Sequence, residues 1–216
     1  MDEYKSARSA MIDSQLRTSG VTERRLLSAM AEVPRELFVP EGRREIAYLD
    51  GLQPLANGQR FILSPAHFGR MVQLAQIREG DWVLDVGAAS GYSSIVLARL
   101  GGSVLGIEFD VTLAAQANEN LARFGTENAS VLAGGVELAA GRHFDAIIVE
   151  GAVETAPDDL IALLAPGGRL VAPILRNGVA VVHVFVRKPE GVMFTSEFDA
   201  SMPRLWNWAP ENEFVF

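Results

Sequence analysis

The chain has 216 residues, of which 49% are hydrophobic and 21% charged, and its net charge is −8. This length and composition suit one large α/β domain with a sizeable core and exclude a disordered chain. The acidic balance argues against a nucleic-acid partner, and the absence of cysteine excludes disulfides, thiolate catalysis and cysteine-bound metals.

Two further classes of protein are disfavoured by simple patterns. His67, His143 and His183 lie far apart without metal-binding spacing, so we expect no metal site. The N-terminus has no apolar core of the kind that signal peptides carry, and the apolar runs are shorter than the roughly 18 residues that a membrane helix needs. We therefore expect a cytoplasmic protein without a membrane partner.

The first part of the chain predicts a helical cap. Residues 4–32 have the spacing of two amphipathic helices separated by Gly20, with Thr22 as the N-cap of the second. The prolines of Val33–Gly42 then indicate a short helical turn and an extended link. Such a cap cannot bury its apolar face alone, so we expect it to pack on the domain that follows.

A short apolar segment, Phe61–Leu63, precedes the next predicted helix, Pro65–Ile77. Ser64 followed by Pro65 is typical of an N-cap and the first helical position. Free backbone N–H groups at such a helix start would also suit an anionic group.

Strands and helices alternate after Gly80, which predicts a doubly wound, mostly parallel sheet with helices on both faces. The predicted strands are Trp82–Val86, Ser103–Ile107, Asn128–Ala133, Phe144–Val149 and Arg169–Pro173, followed by a hairpin of Val179–Val186 and Val192–Phe198 that requires one antiparallel strand. The predicted helices are Tyr92–Leu100, Val111–Phe124 and Pro157–Leu164. We expect one domain over residues 1–216, with the cap and substrate side at 1–78 and the sheet core at 79–216.

The segment Val83–Tyr92, VLDVGAASGY, organises the predicted sheet. It has the pattern of a strand, a tight turn and the first turn of a helix, and in doubly wound proteins a nucleotide-like ligand lies outside this turn. Glycines there allow unusual backbone angles and close approach of a ligand. The candidate contacts in the turn are Gly87, Ala88, Ala89, Ser90 and Gly91.

Glu108 ends the second predicted strand, 17 residues after Gly91, where an acidic residue commonly binds the ribose hydroxyls. This leaves a dinucleotide or S-adenosylmethionine as the ligand. The glycines of the turn are four residues apart, unlike the three-glycine dinucleotide fingerprint. The carboxylate of Asp85 suits the positively charged end of S-adenosylmethionine and would repel a pyrophosphate. Both features favour S-adenosylmethionine.

The motifs VLDVGAASGY, GIEFD, FDAIIVEGA and LLAPGGRLVAPI resemble those of class I S-adenosylmethionine-dependent methyltransferases. The segments MIDSQL and ERRLLSAMAEVPRELFVPE, with the PGGRLVAPI strand, resemble the protein-L-isoaspartate O-methyltransferase family over roughly residues 7–188. This resemblance implies a seven-stranded sheet and methyl transfer to the free carboxylate of isoaspartyl residues in damaged proteins. Two alternatives stay open: a class I methyltransferase for another substrate, and a cofactor-binding module without isoaspartyl turnover.

The resemblance also implies a set of site residues. The implied cofactor contacts are Asp85, Gly87, Ala88, Ala89, Ser90, Gly91, Glu108, Phe109, Gly134, Gly135 and Glu150. The family's T-I-S-x-P signature, aligned on Pro65, puts Leu63 at the serine position near the methyl transfer, and Ser64 follows one residue later. Ser64 and Leu63 are the two candidate catalytic residues. We expect Ser64 to cap the helix and Leu63 to face the cofactor. The alternative is a shift of the segment before Pro65 by one residue, which turns Ser64 toward the cofactor.

Two other positions depart from the family pattern. Ala89 replaces a glycine of the turn, which is tolerable if its φ is negative. Gly134-Gly135 stands where the family tends to have Gly-Asp, which removes a polar contact to the adenine region. Glu137 is the nearest acidic substitute.

Overall fold

The computed structural model describes residues 4–55 and 58–205. Within them, seven strands form one sheet in the order β5-β4-β3-β6-β7-β8-β9, and β8 runs antiparallel to both of its neighbours. The other neighbouring pairs are parallel. A separate antiparallel pair, β1 and β2, precedes this sheet in the chain. The predicted doubly wound α/β fold is thereby confirmed.

The strands are β1 (Gln53–Pro54), β2 (Phe61–Ile62), β3 (Trp82–Val86), β4 (Ser103–Glu108), β5 (Ala129–Ala133), β6 (Phe144–Val149), β7 (Leu164–Arg176), β8 (Val179–Lys188) and β9 (Gly191–Ala200). The α-helices are α1 (Lys5–Met11), α2 (Arg24–Glu32), α3 (Pro65–Ala75), α4 (Tyr92–Ala98), α5 (Val111–Arg123) and α6 (Asp158–Ala162). Helix α1 continues as a π-helical segment, Ile12–Leu16, and 3₁₀ turns cover Arg35–Leu37, Glu41–Ile46 and Val136–Ala139.

The N-terminal helices pack on the sheet domain, as the amphipathic pattern predicts. Met11, Leu16, Leu26 and Met30 belong to the same buried cluster as strand and helix residues of the sheet, including Ile95. A buried polar group links the cap internally, because the Arg8 guanidinium donates to Glu36 and to the hydroxyl of Tyr48. The cap and the sheet therefore share one core.

Three local expectations need correction. The N-cap of α2 is Glu23, whose carboxylate accepts from the N–H groups of Arg25 and Leu26, and not Thr22. Helix α3 ends at Ala75, two residues earlier than predicted, because Gln76 adopts a left-handed conformation (φ 52°). Strand β7 begins at Leu164, which pairs with Phe144, although the Pro-Gly-Gly sequence before Arg169 predicts a loop.

The parallel pairing places the chemistry at one edge of the sheet. Val86, at the end of β3, is in register with Ile107 of β4 and Val149 of β6. The residues that follow these three strand ends therefore lie side by side, as expected at the carboxyl edge of a parallel sheet.

Among residues 4–55 and 58–205, none of the helices has the length and apolar character that a membrane-spanning helix requires.

Candidate cofactor site

Glu108 lies at the carboxyl end of β4 and is fully buried. Its Oε1 accepts hydrogen bonds from Arg60 Nε (2.8 Å) and from the N–H of Asp110 (3.0 Å). Its Oε2 accepts from Arg60 Nη2 (2.8 Å) and from the N–H of Ala89 (2.6 Å). A carboxylate offers about four lone-pair positions, so the acceptor capacity of Glu108 is used within the chain.

Arg60 is the partner that sequence reasoning missed. It immediately precedes β2, its side chain has no exposed surface, and its Nη2 also donates to the carbonyl of Gly87 (2.9 Å). The two parallel N–H···O bonds to Glu108 form a bidentate ion pair, the geometry that arginine favours with carboxylates. The only sequence signal was a single charge among the apolar residues of the segment RFIL.

Gly87, in the turn that is predicted to bind the cofactor, lies against two side chains. Its φ is +89°, and a Cβ built on it would come within 2.7 Å of Leu205 Cδ1 and 2.9 Å of Arg60 Nη2. Leu205 also lies against Gly151, since a Cβ there would be 3.1 Å from Leu205 Cβ. Arg60 and Leu205 therefore occupy the space next to Gly87 in this conformation.

Leu205 is held in this position by the backbone. Its N–H donates to the carbonyl of Ala152 (2.8 Å), and the N–H of Ala152 donates to the carbonyl of Pro203 (2.9 Å). The sequence after Val192 carries no recognisable motif, so it gives no signal for this position of Leu205.

These contacts decide whether S-adenosylmethionine fits this conformation. The residues that are predicted to recognise the cofactor, Asp85, Gly87 and Glu108, lie together at the carboxyl ends of the strands. However, Glu108 has no acceptor position left for a ribose, and Arg60 and Leu205 fill the space over Gly87. In this conformation the predicted site does not accommodate a ribose at Glu108.

Asp85 and Glu150 are buried carboxyl groups at the ends of neighbouring strands β3 and β6. Asp85 Oδ2 accepts from the hydroxyls of Ser93 (2.7 Å) and Ser94 (2.6 Å). Asp85 Oδ1 and Glu150 Oε1 have no hydrogen-bond partner among the described residues. Burial raises the pKa of Asp85 to about 6, against the two serine hydrogen bonds. Burial, followed by the charge of Asp85, raises the pKa of Glu150 well above its usual range.

The turn between β3 and α4 is fixed by contacts within the protein. The N–H of Gly91 donates to the carbonyl of Ala88, and the hydroxyl of Ser90 donates to the carbonyl of Phe38 (2.7 Å). Gly91 has a φ of +89°, and a Cβ there would lie 3.1 Å from the Ala117 backbone of α5. Gly91 is therefore required for close helix packing whatever the turn binds.

Ala89 does not meet the condition under which alanine readily replaces glycine in this turn. Its φ is +51° and not negative. A left-handed alanine is strained by about 1 kcal/mol. The hydrogen bond from its N–H to Glu108 helps to hold this conformation.

The remaining predicted cofactor contacts lie around the end of β5 and after β4. Phe109 is partly buried and packs against the second buried cluster of the sheet. The N–H of Gly134 donates to the carbonyl of Glu108 (3.0 Å), which joins this turn to the end of β4. Glu137 accepts from the N–H of Gly135 (3.0 Å), so its carboxylate folds back on the turn. A role of these residues in cofactor binding stays a prediction.

Ser64 caps α3, and Pro65 occupies the first helical turn, as predicted. The Ser64 hydroxyl lies 2.9 Å from His67 Nδ1 and accepts from the N–H of His67 (3.4 Å). Leu63 is buried in the main apolar cluster, and its carbonyl accepts a hydrogen bond from the buried Arg35 guanidinium. That Leu63 faces the cofactor stays a prediction.

Comparison with known proteins identifies the family. Residues 6–201 match the family model described as protein-L-isoaspartate(D-aspartate) O-methyltransferase. The chain belongs to this family. A protein-L-isoaspartate O-methyltransferase of Aeropyrum pernix is 42% identical over 197 residues, covering 88% of this chain and 75% of that protein. One from Koribacter versatilis is 40% identical over 194 residues, covering 89% and 86% respectively.

Solved structures support the fold at lower sequence identity. One protein-L-isoaspartate O-methyltransferase superposes with a TM-score of 0.78 at 21% identity, covering 92% of this chain and 65% of that one. Another, from Plasmodium falciparum in complex with S-adenosyl-L-homocysteine, has a TM-score of 0.78 at 22% identity, covering 95% and 99%. The family and the seven-stranded methyltransferase fold predicted from the sequence are confirmed.

The strained Ala89 generates a prediction about stability. Ala89→Gly should raise the free energy of unfolding by about 1 kcal/mol, because glycine relieves the left-handed strain and keeps the N–H bond to Glu108. Ala88→Gly is the matched control: Ala88 is buried without a positive φ, so the loss of its methyl group should lower stability by about 1 kcal/mol. Urea unfolding of the three proteins measures both changes. A lower free energy of unfolding for Ala89→Gly than for the wild type would show that Ala89 is not strained.

The raised pKa of Asp85 generates a prediction about pH. Because the pKa is higher in the folded state (about 6) than in the unfolded state (3.8), the folded protein loses stability as pH rises from about 4 to 6. Asp85→Asn removes this loss and leaves an oxygen for Ser93 and Ser94. Relative to the wild type, the variant should therefore gain stability across this window, by about 2–3 kcal/mol above pH 6. Unfolding curves at several pH values test this, and a difference that is independent of pH would contradict it.

Proposed function

We propose that this protein is an S-adenosylmethionine-dependent O-methyltransferase that esterifies the free carboxylate of isoaspartyl residues in proteins or peptides. The observation that carries the proposal is the match of residues 6–201 to the family model, with relatives at about 40% identity across most of the chain. S-adenosylmethionine supplies the methyl group in this family. The proposal includes one domain over residues 1–216, a cytoplasmic location, and no nucleic-acid or membrane partner.

Methyl transfer to a carboxylate requires the protein mainly to position the reacting groups. A carboxylate with a pKa near 4 is already ionised at pH 7, so the reaction needs no general base to activate it. Alignment of the reacting groups then supplies most of the rate enhancement. This agrees with a Ser64 hydroxyl that is engaged with His67 as a helix cap.

The segment before α3 is the part of the chain that we assign to the acceptor side. Arg35 holds the backbone of this segment, because its Nε donates to the carbonyl of Ala47 (2.8 Å) and its Nη2 donates to the carbonyl of Leu63. Arg35 is buried, and its guanidinium carbon lies 5.0 Å from the centre of the Tyr92 ring. We assign to Arg35 a positioning role for the backbone of Leu63.

A second candidate is a methyltransferase for a different acceptor. It is favoured by Leu63, which puts an apolar side chain at the family's serine position, while the hydroxyl of Ser64 is already bonded. An apolar residue there suits an acceptor that is less polar than a peptide backbone. The isoaspartyl proposal leads because the family match extends over nearly the whole chain.

Methyl transfer to paired peptides separates these functions. The purified protein is incubated with S-adenosylmethionine and with two peptides that differ only in an isoaspartyl or an ordinary aspartyl residue, and ester formation is measured by mass spectrometry. The assay is repeated over a wide range of S-adenosylmethionine concentrations. We expect methylation of the isoaspartyl peptide alone. Transfer to neither peptide, or to both equally, would contradict the proposed substrate.

Variants of Ser64 test its assignment as a cap. Ser64→Ala should lower the free energy of unfolding by about 1 kcal/mol, or about 2–4 °C in Tm, and leave kcat/KM for the isoaspartyl peptide unchanged. Ser64→Thr retains a capping hydroxyl and should restore most of the stability. If Ser64→Ala abolishes methyl transfer at an unchanged Tm, Ser64 belongs to the catalytic machinery and the assignment is wrong.

A further inference from the structure

Two side chains of this chain lie against the turn that is predicted to bind the cofactor. Arg60 comes from the segment before β2, and Leu205 comes from the segment after β9. They meet over Gly87, within 2.9 Å and 2.7 Å of the position that a Cβ of this residue would take. The family match ends at residue 201, so Leu205 lies beyond the part of the chain that the family model describes.

We infer that Arg60 and Leu205 form a latch that holds the cofactor site of the free protein closed, so that the cofactor binds only when the Arg60–Glu108 ion pair opens. The inference concerns affinity for the cofactor, and it rests on the cofactor of the proposed function, not on the proposed acceptor. Arg60 is thereby a determinant of cofactor affinity in this chain.

Arg60 and a ribose would compete for the carboxylate of Glu108. Two of the four hydrogen bonds to Glu108 come from the backbone N–H groups of Ala89 and Asp110, which shape the turn and the start of α5. The other two come from Arg60. Ribose hydroxyls that donate to Glu108 need the acceptor positions that Arg60 uses, so the two partners exclude each other.

Burial makes the exchange costly. The side chains of Arg60 and Glu108 both have 0% exposure, and separating a buried ion pair leaves a charge without compensation. Arg60 would also leave the carbonyl of Gly87. The closed form is therefore favoured in the free protein, and only a minor open fraction can bind.

Leu205 closes the site from the other side. It occupies the space between Gly87 and Gly151, the first residue after β3 and the second after β6. Its backbone bond to Ala152 fixes the segment, and Arg204 next to it forms an ion pair with Glu154 (2.9 Å). Opening of the site thus involves both the segment before β2 and the segment after β9.

The population of the open form sets the apparent affinity. When only a fraction of the molecules can bind, the apparent Kd is the intrinsic Kd divided by that fraction. If the open fraction is below about one tenth, a variant that removes the latch should bind at least tenfold more tightly. A merely structural arginine would give the opposite sign, because its loss would loosen the site.

The test is the affinity for S-adenosyl-L-homocysteine and S-adenosylmethionine, measured by isothermal titration on full-length variants. Arg60→Ser should lower the Kd of both about tenfold or more, although it lowers the Tm. Arg60→Lys retains a cation for Glu108 and should bind close to the wild type. Leu205→Ala should also tighten binding. Because this variant keeps the Arg60–Glu108 ion pair, it still tests the latch if Arg60→Ser does not fold.

Arg8→Ser serves as the matched control, because Arg8 is a second buried arginine whose glutamate partner is Glu36 of the N-terminal cap and not Glu108. It should lower the Tm without changing the Kd. Equal or weaker binding by Arg60→Ser and Leu205→Ala overturns the latch, whatever the activity of the wild type. Tighter binding by these variants without methylation of the isoaspartyl peptide supports the latch and contradicts the proposed substrate.

Discussion

The carboxylate of Glu108 is the group on which the arrangement of the site depends. It ends β4, and it receives the N–H of Ala89 from the turn after β3, the N–H of Asp110 from the start of α5, and the guanidinium of Arg60 from the segment before β2. One buried charge thus joins three parts of the chain that are distant in sequence. In a low-dielectric interior such a charge is stable only while its partners are in place.

The same position explains why the predicted ribose contact does not form in this conformation of the chain. A glutamate at the end of the second strand of the parallel sheet is suited to ribose hydroxyls. In this chain an internal cation satisfies it instead, and Leu205 completes the closure over Gly87. Asp85 and Glu150, in contrast, each keep one oxygen without a hydrogen-bond partner among the described residues. The hydrogen-bonding capacity of these two acids is thus less completely used than that of Glu108, the predicted ribose contact.

The fold could be predicted from the sequence because its central elements carry strong local signals. The apolar runs of β3 and β6 have the bounds that were expected, Trp82–Val86 and Phe144–Val149, and Glu108 was placed correctly at the end of its strand. Strand β7 was predicted too short, because its pairing of Leu164 with Phe144 overrides the turn signal of Pro166-Gly167-Gly168.

The closure of the site could not be predicted, because it depends on contacts without a local signal. Arg60 and Glu108 are 48 residues apart, and a single arginine before a short strand is usually exposed to solvent. Leu205 is an ordinary leucine outside any motif. The left-handed conformation of Ala89, whose N–H donates to Glu108, was likewise not foreseen.

NMR of arginine side chains tests most directly whether Arg60 and the cofactor compete for Glu108. In the free protein, the Nε–H of Arg60 should give a signal that exchanges slowly with solvent, assigned by its absence in Arg60→Lys. Saturation with S-adenosyl-L-homocysteine should abolish this protected signal as the guanidinium leaves Glu108. If the ligand binds while the signal of Arg60 stays protected and unshifted, the ion pair and the cofactor coexist, and the account is contradicted.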